Sequence, residues 1–134
     1  MNIADKSRLY EEIYRVLRPG GKLAMHDAMA GPGGPLIFPV PWASDSSTND
    51  LRSPAEIQRI LGDSGFRLLH WEDETERVRV WMDEMMAKAA ATPSPPPLGP
   101  HLFFGEKTPL IFRTLRQNLR ERRIEVVQAV LEKP

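Results

Sequence analysis

Hydrophobic side chains near the start of the chain recur at helical spacing. Apolar residues fill one face of a helix that Asp5 can cap, at positions Leu9, Ile13, Val16 and Leu17. Pro19 stops this helix, and Gly20 and Gly21 supply the backbone freedom for a tight turn. The apolar run that follows predicts a strand over 22–27 with both faces covered, which together with the helix indicates an α/β fold.

A long polar segment follows, rich in Gly, Pro, Ser, Asp and Asn and interrupted by scattered apolar residues. Segments of this length without regular structure are, in compact domains, usually functional loops or disordered ones. The pattern therefore predicts a long loop or lid over 28–52. Its apolar residues would anchor it to the domain: Leu36, Ile37, Phe38, Val40 and Trp42.

Regular structure resumes at a helix signal. Ser53 and Glu56 have the spacing of a capping box, and Pro54 stands at the first helical position, so a helix is predicted over 54–64. Gly65 then has the place of a C-terminal cap, because glycine readily adopts the left-handed conformation that ends many helices.

Two further strands are predicted, over 67–74 and 124–131. In the first, strict alternation assigns side chains to the two faces, with Leu69 and Trp71 opposite Leu68 and His70. In the second, apolar residues alternate on both faces, so both faces should be covered by other parts of the domain.

A helical insertion is predicted between these two strands, over 75–122. Its first helix begins at Thr75 and keeps helical spacing at Val78, Trp81, Met82, Met85 and Ala89. The proline-rich run 92–100 predicts a stiff, extended linker. Thr108 and Pro109 then open the second helix of the pair.

Composition narrows the functional classes. The 134 residues, 41% of them hydrophobic, are enough for one domain over 1–134. Lys+Arg and Asp+Glu both number 18, so no net charge attracts nucleic acid or an anionic membrane surface. The absence of cysteine excludes disulfides and thiolate metal sites. Because no apolar run reaches membrane-spanning length either, we expect a cytoplasmic protein that binds neither membrane nor nucleic acid.

The glycine-rich segment 27–34 follows a strand and superficially resembles a loop that cradles nucleotide phosphates. Such a loop presents backbone N–H groups and the N-terminus of a helix to its ligand. Here Pro35, Pro39 and Pro41 follow, so no helix can begin where a phosphate or cofactor would lie. The segment is therefore interpreted as a flexible loop rather than a cofactor site.

Several of these motifs resemble one enzyme family. The turn Leu-Arg-Pro-Gly-Gly within 15–23, between an amphipathic helix and a covered strand, looks like the second half of class I S-adenosylmethionine-dependent methyltransferases. The segment 1–6 is similar to the loop after the fourth strand of small-molecule members, including quinone-biosynthesis methyltransferases and sarcosine/dimethylglycine N-methyltransferases. The segments 38–43 and 118–124 resemble the second of these groups more closely.

The resemblance implies a partial Rossmann-like sheet made of the equivalents of strands five, six and seven, with an inserted helical pair. Strand seven, over 124–131, would run antiparallel between strands five and six. The first four strands of the family, with their Gly-x-Gly loop and the acidic residue for the cofactor ribose, have no counterpart in this sequence. The chain would then supply the acceptor side of an S-adenosylmethionine-dependent methyl transfer to a small molecule, with an amine as the expected acceptor. It would bind that cofactor only if a missing N-terminal half completed the domain, and it offers no cofactor-binding residue of its own.

Two other functions remain open. The chain could be a non-catalytic module of the same fold, kept for assembly or ligand binding, or a remnant without an independent activity. Strand five without strand four at its side would expose unpaired backbone groups to another chain. We therefore expect a homodimer or a complementing subunit in addition to the small-molecule acceptor.

Four residues are candidates for substrate binding. Asn2 has the position at which the family's loop approaches the transferred methyl group, although a turn residue is an equal alternative. His26 and Asp27 are predicted at the end of a strand, where ligands of open α/β sheets bind. Trp42 could cover an acceptor or a methylammonium product with its ring, or simply anchor the loop. No catalytic residue is assigned.

Metal binding is not expected from this sequence. The histidines His26, His70 and His101 lie on separate predicted elements and lack the spacing of metal ligands.

Overall fold

The computed structural model describes residues 1–92 and 97–134. Five helices and three strands follow one another along the chain: α1 (Lys6–Val16), β1 (Lys22–Ala30), α2 (Pro54–Asp63), β2 (Arg67–Asp73), α3 (Thr75–Ala91), α4 (His101–Phe104), α5 (Thr108–Arg120) and β3 (Ile124–Glu132). Two short 3₁₀ helices, Ser46–Thr48 and Gly105–Lys107, interrupt the connections. Within these described residues no helix is long and apolar enough to cross a membrane.

The three strands form one sheet in the order β1-β3-β2. β3 lies in the middle and runs antiparallel to both neighbours, which confirms the topology expected from the resemblance. Its side chains are buried on both faces because α1 and α2 pack on one face and α3 and α5 on the other. On the first face lie Val127, Ala129 and Leu131; on the second lie Ile124 and Val126.

β1 is three residues longer than predicted. It continues past Asp27 to Ala30, because residues 28–30 pair in register with Val126, Glu125 and Ile124 of β3. The predicted loop over 28–52 therefore begins only at Gly31. Nothing local in the sequence stops the strand at Asp27, and the available partner on β3 extends it.

α1 begins where Asp5 predicts, because the Asp5 carboxylate accepts a hydrogen bond from the backbone N–H of Arg8 at 2.9 Å. Ile13 and Leu17 of the predicted stripe pack against the core, but the buried face differs from the prediction at Val16. Val16 is 66% exposed, whereas Tyr10 is 5% exposed and belongs to the core. The buried stripe is thus rotated toward the tyrosines, and Tyr14 makes an edge-to-face contact with Phe66 at 5.1 Å.

β2 contains a bulge that the sequence pattern did not predict. Leu68 pairs with Leu131 and His70 with Val130, so Leu69 is one extra residue in the ladder. As a result Leu68 and Trp71 share a face, where both line a small cavity beside Leu131. The predicted pairing of Leu69 with Trp71 on one face is therefore wrong.

The insertion contains more helices than the predicted pair. α4 and a 3₁₀ turn precede α5, and the predicted linker 92–100 includes residues 93–96, which lie outside the described residues. α3 starts at Thr75 as predicted and buries Met82, but Trp81 and Met85 are 53% and 43% exposed. Val78 packs beside Met82 as predicted, and Met86, one turn after Met82, completes the packed face in place of Trp81 and Met85.

Candidate functional site

The long loop between β1 and α2 is held at both ends by backbone hydrogen bonds. The N–H of Ala30 donates to the oxygen of Arg52 at 2.9 Å, and the N–H of Asp50 donates to the oxygen of Met1 at 3.0 Å. Within the loop, Val40 and Ala43 are buried and bond to each other through an isolated bridge. The loop is thus fixed by backbone hydrogen bonds at its two ends and in its middle.

Asn2 and Trp42, two of the predicted site residues, lie together in this loop region. The side-chain amide of Asn2 donates to the backbone oxygens of Trp42 and Thr48, at 2.7 and 2.8 Å. The indole N–H of Trp42 donates to Asn49 Oδ1 at 2.9 Å, and its half-buried ring packs on the core beside α5. We name these four residues, Asn2, Trp42, Thr48 and Asn49, the loop clasp.

His26 and Asp27 do not form one group. They are consecutive residues in the middle of β1 and therefore point to opposite faces of the sheet, opposite Gln128 and Val127. His26 is exposed and does not line the cavity between the loop and the helical insertion that is described below. Asp27 faces α1, and one of its carboxylate oxygens lies 3.8 Å from the amino nitrogen of Met1.

Two polar residues of α1, Lys6 and Tyr10, lie close enough to Asp27 to feel its charge, and the sequence pattern did not indicate them. Lys6 is 6% exposed and donates to the backbone oxygen of Ile3 at 2.6 Å. Burial lowers the pKa of Lys6, against the charges of Asp27 and Asp50. Burial, assisted by the charge of Asp27, raises the pKa of Tyr10 to about 12. Their i,i+4 spacing was the signal that could have shown them to share a buried stripe.

A cavity of about 550 Å³ lies between the loop and the helical insertion. One wall is the loop segment 39–48, which includes Trp42, and the other is the segment 104–111 at the start of α5. Most of the lining is apolar or aromatic, with a few polar side chains: Pro39, Val40, Pro41, Trp42, Ala43, Phe104, Leu110 and Ile111, together with Ser44, Asp45, Thr48 and Lys107. The volume lies within the range of small-molecule binding sites, and the cavity is widely open to solvent.

Asn118 joins the two walls of this cavity. Its side chain is 0% exposed and bonds both backbone groups of Ile37, accepting from N–H at 2.9 Å and donating to the oxygen at 2.8 Å. It also donates to the backbone oxygen of Thr114, one turn earlier in α5. Two of these three hydrogen bonds therefore fix the loop to α5, and the third holds the Asn118 side chain against its own helix.

The glycine-rich segment after β1 does not fit a cofactor cradle. The N–H groups of Gly31 and Gly33 already donate to the backbone oxygens of Arg123 and Arg122, at 3.0 and 2.8 Å. No helix of the described chain follows these glycines before Ser46. The two features that bind a nucleotide, free N–H groups and a helix N-terminus, are thus missing from this segment. The described residues also contain no group of three or more potential ligands placed to hold a metal ion.

The fold is that of the C-terminal part of S-adenosylmethionine-dependent methyltransferases, as the sequence resemblance predicted. Phosphoethanolamine N-methyltransferase 2 from Haemonchus contortus, in complex with S-adenosyl-L-methionine, superposes with a TM-score of 0.74 and 19% identity, covering 99% of this chain and 31% of that chain. A Galdieria sulphuraria protein described as a sarcosine dimethylglycine methyltransferase superposes with a TM-score of 0.69 and 16% identity. This match covers 99% of the present chain and 49% of that protein. Geranyl diphosphate C-methyltransferase from Streptomyces coelicolor A3(2), in complex with S-adenosyl-L-homocysteine, superposes with a TM-score of 0.67 and 16% identity. This match covers 100% of the present chain and 45% of that enzyme.

The chain thus spans between about a third and a half of the length of these solved structures. No protein-family model and no curated protein matches it. The likeness is therefore one of fold. In the order of the sheet, β1 corresponds to strand five of the methyltransferase fold, β3 to strand seven and β2 to strand six.

Proposed function

We propose that this chain is the acceptor-side half of an S-adenosylmethionine-dependent methyltransferase that acts on a small molecule. The observation that carries the proposal is the 550 Å³ cavity between the loop after β1 and the helices inserted between β2 and β3. In an α/β sheet the carboxyl ends of parallel strands are the usual place for ligands. β1 and β2 run in the same direction on either side of β3, and the two walls of the cavity follow the carboxyl ends of these two strands. The loop clasp and Asn118 keep the loop wall in position.

The cofactor itself would be bound by residues outside 1–134, because the glycine-rich segment of this chain does not fit it. Alone, the chain should bind S-adenosylmethionine weakly or not at all. Its own contribution is to hold the acceptor and to exclude water, and methyl transfer depends largely on such positioning. A strong acid or base is not required from this half.

An amine nitrogen is the proposed methyl acceptor, and Asn2 and Trp42 are the proposed acceptor-side residues. Trp42 lines the cavity, and an aromatic ring face can stabilise a methylammonium group by about 0.5–2 kcal/mol. Asn2 acts through Trp42 and Thr48, whose backbone oxygens it bonds. His26 and Asp27 lie apart from this cavity, so the proposal gives them no contact with the acceptor. We propose the cytoplasm as the location.

The test is a chimera in which this chain replaces the corresponding part of the Galdieria sulphuraria protein. Calorimetry with S-adenosylmethionine first establishes that the chimera folds and binds cofactor. Transfer of a labelled methyl group to a panel of small amines is then measured. Trp42→Ala should lower kcat/KM about tenfold, a loss of about 1.4 kcal/mol, while the exposed Trp81→Ala serves as the matched control. A chimera that binds cofactor and methylates none of the amines would contradict the proposal that the acceptor is an amine. Equal effects of the Trp42 and Trp81 variants on kcat/KM would contradict the proposal that the acceptor binds in the cavity.

A second candidate function, an assembly module, is favoured by the open edge of β1. Among the described residues β1 pairs only with β3, so the backbone groups along its other edge have no strand partner. We propose that a second copy of this chain or a complementing subunit pairs there. Light scattering over a range of concentrations tests the homodimer, and a constant monomer mass at high concentration would count against it.

A further inference from the structure

β2 is an exposed strand at the edge of the sheet opposite to β1. In the described part of the chain it pairs only with β3, so the backbone groups along its outer side have no strand partner. Six of its seven residues are exposed, and two of these are leucines, Leu68 at 46% and Leu69 at 45%. An exposed edge with apolar side chains is a surface to which another extended strand can be added.

The two faces of β2 differ in character. Its register against alternate residues of β3 places Arg67, His70 and Glu72 on one face of the sheet. Leu68 and Trp71 lie on the other face, where both line the small cavity between β2 and α2. At this edge one face of the sheet is therefore polar and charged, and the other is apolar.

The bulge makes the charges of β2 symmetric about His70. Because Leu69 is one extra residue, Arg67 lies two ladder positions before His70, and Glu72 lies two positions after it. Without the bulge, Arg67 would lie three positions from His70 and on the other face. The strand thus carries one positive and one negative side chain on the same face, at equal distances from its centre.

We infer that β2 pairs with β2 of a second copy of this chain, antiparallel and about a twofold axis at His70. In this arrangement Arg67 of each copy lies opposite Glu72 of the other copy. On the apolar face, Leu68 of each copy lies opposite Trp71 of the other. A parallel arrangement would instead put like charges beside each other. The charged and apolar side chains of β2 are therefore complementary to those of its own antiparallel copy.

The two charged side chains are available for this contact. Arg67 is 64% exposed although it contacts Glu132, and Glu72 is 53% exposed although His70 Nε2 lies 3.2 Å from its carboxylate. Both side chains can therefore reach a second copy. β1 lies at the other edge of the sheet, so this pairing leaves β1 free for a complementing subunit, and the inference goes beyond the proposed function.

Charge reversal on β2 tests the inference in the full chain. In a dimer of Arg67→Glu two acidic side chains face each other at both pairs, and in a dimer of Glu72→Arg two basic ones do. Each variant alone should dimerise about tenfold more weakly than the unmodified chain. An equimolar mixture of the two variants restores both pairs of opposite charge, so the heterodimer should form with about the affinity of the unmodified dimer.

Arg15→Glu on α1 is the matched control, because Arg15 is 67% exposed and forms a surface ion pair with Glu12. It changes the net charge as much as Arg67→Glu does and should dimerise like the unmodified chain. Mixed with Glu72→Arg, it should not restore the affinity of the unmodified dimer. Sedimentation measures the dimer affinities, native mass spectrometry identifies the heterodimer, and circular dichroism establishes that each variant is folded.

Amide hydrogen exchange of the unmodified chain locates the interface without any variant, so it decides the question even if a charge reversal prevents folding. Protection over 67–73 should rise with protein concentration. No rise there would overturn the inference. Equal dimerisation of the unmodified chain and both β2 variants would also overturn it, as would folded Arg67→Glu and Glu72→Arg variants whose mixture stays monomeric.

Discussion

The side-chain amide of Asn2 donates to the backbone oxygen of Trp42 at 2.7 Å across forty residues of sequence. The same nitrogen donates to Thr48 at 2.8 Å, so one amide bonds the loop both before its 3₁₀ helix and at the last residue of that helix. Trp42 thus has its backbone fixed by Asn2 and its indole fixed by Asn49. The part of the loop that forms a cavity wall is therefore held by hydrogen bonds from a segment far away in sequence.

Replacing Asn2 should loosen this loop without unfolding the domain. Asn2→Ala removes two hydrogen bonds at an exposed site, and we expect about 1 kcal/mol of lost local stability. Hydrogen exchange in the peptide 40–50 should accelerate about fivefold, and global denaturation should change little. Ser7→Ala, an exposed change on α1, is the control. Unchanged exchange in Asn2→Ala would mean that the loop clasp does not order the loop.

Asn118 should contribute more to global stability because it lies in the core. Asn118→Ala removes three hydrogen bonds and leaves both backbone groups of Ile37 without their partner, at an expected cost of about 2–4 kcal/mol. Urea denaturation measures this loss, and the exposed neighbour Gln117→Ala should lie within about 0.5 kcal/mol of the unmodified chain. If Asn118→Ala were equally mild, the amide would not be what joins the loop to α5.

Features encoded by neighbouring residues could be predicted from the sequence. The capping box of Ser53 and Glu56 forms in both directions, and Gly65 ends α2 with a φ of +95°. These signals involve residues within one or two turns of each other, so the local chain decides the outcome. The cover on both faces of β3 was predictable for a similar reason, because apolar residues alternate on both of its faces. Its central position in the sheet was expected only from the family resemblance.

Features that depend on distant partners could not be predicted in the same way. The end of β1 at Ala30 is set by its pairing with Ile124, and the bulge at Leu69 by the register against β3. The pairing of Asn118 with Ile37 joins residues 81 positions apart, and it brings together the two walls of the candidate site. His26 and Asp27 were expected at the carboxyl end of the strand, but the longer strand places them in its middle, on opposite faces.

Gly33 and Gly62 should respond oppositely to alanine. A Cβ atom on Gly33 would overlap the backbone oxygen of Glu121, so Gly33→Ala should destabilise the chain by about 1–3 kcal/mol or more. A Cβ on Gly62, inside α2, would meet nothing within 4 Å, and Gly62→Ala should stabilise by up to about 1 kcal/mol. Denaturant unfolding measures both. A mild effect of Gly33→Ala would contradict the close approach of this segment to the turn between α5 and β3.

The carboxylate of Asp83 on α3 accepts hydrogen bonds from three arginines, two of them on α5, and so links the two helices. Its carboxylate accepts from Arg116 and, at 3.0 Å, from Arg120 on α5, and from Arg79 on its own helix at 3.1 Å. The hydrogen bonds from Arg116 and Arg120 lower the pKa of Asp83 below its ordinary value of 3.8. A carboxyl group whose pKa is lowered by folding stabilises the folded state above its unfolded pKa, and this contribution is lost as the pH falls through the lowered value.

Asp83→Asn should therefore lower Tm at neutral pH, and the difference from the unmodified chain should shrink as the pH falls below 3.8. Because these side chains are accessible to solvent, molar salt should also reduce the difference at neutral pH. Glu84→Gln, the next residue on α3, removes an exposed negative charge that makes none of the ion pairs found in 1–92 and 97–134, and it should have a smaller effect. If both variants lower Tm equally at every pH, the loss reflects general charge balance on α3. A loss specific to Asp83 that disappears in acid would instead identify the arginine cluster as the contact that fixes α5, and with it the second wall of the cavity.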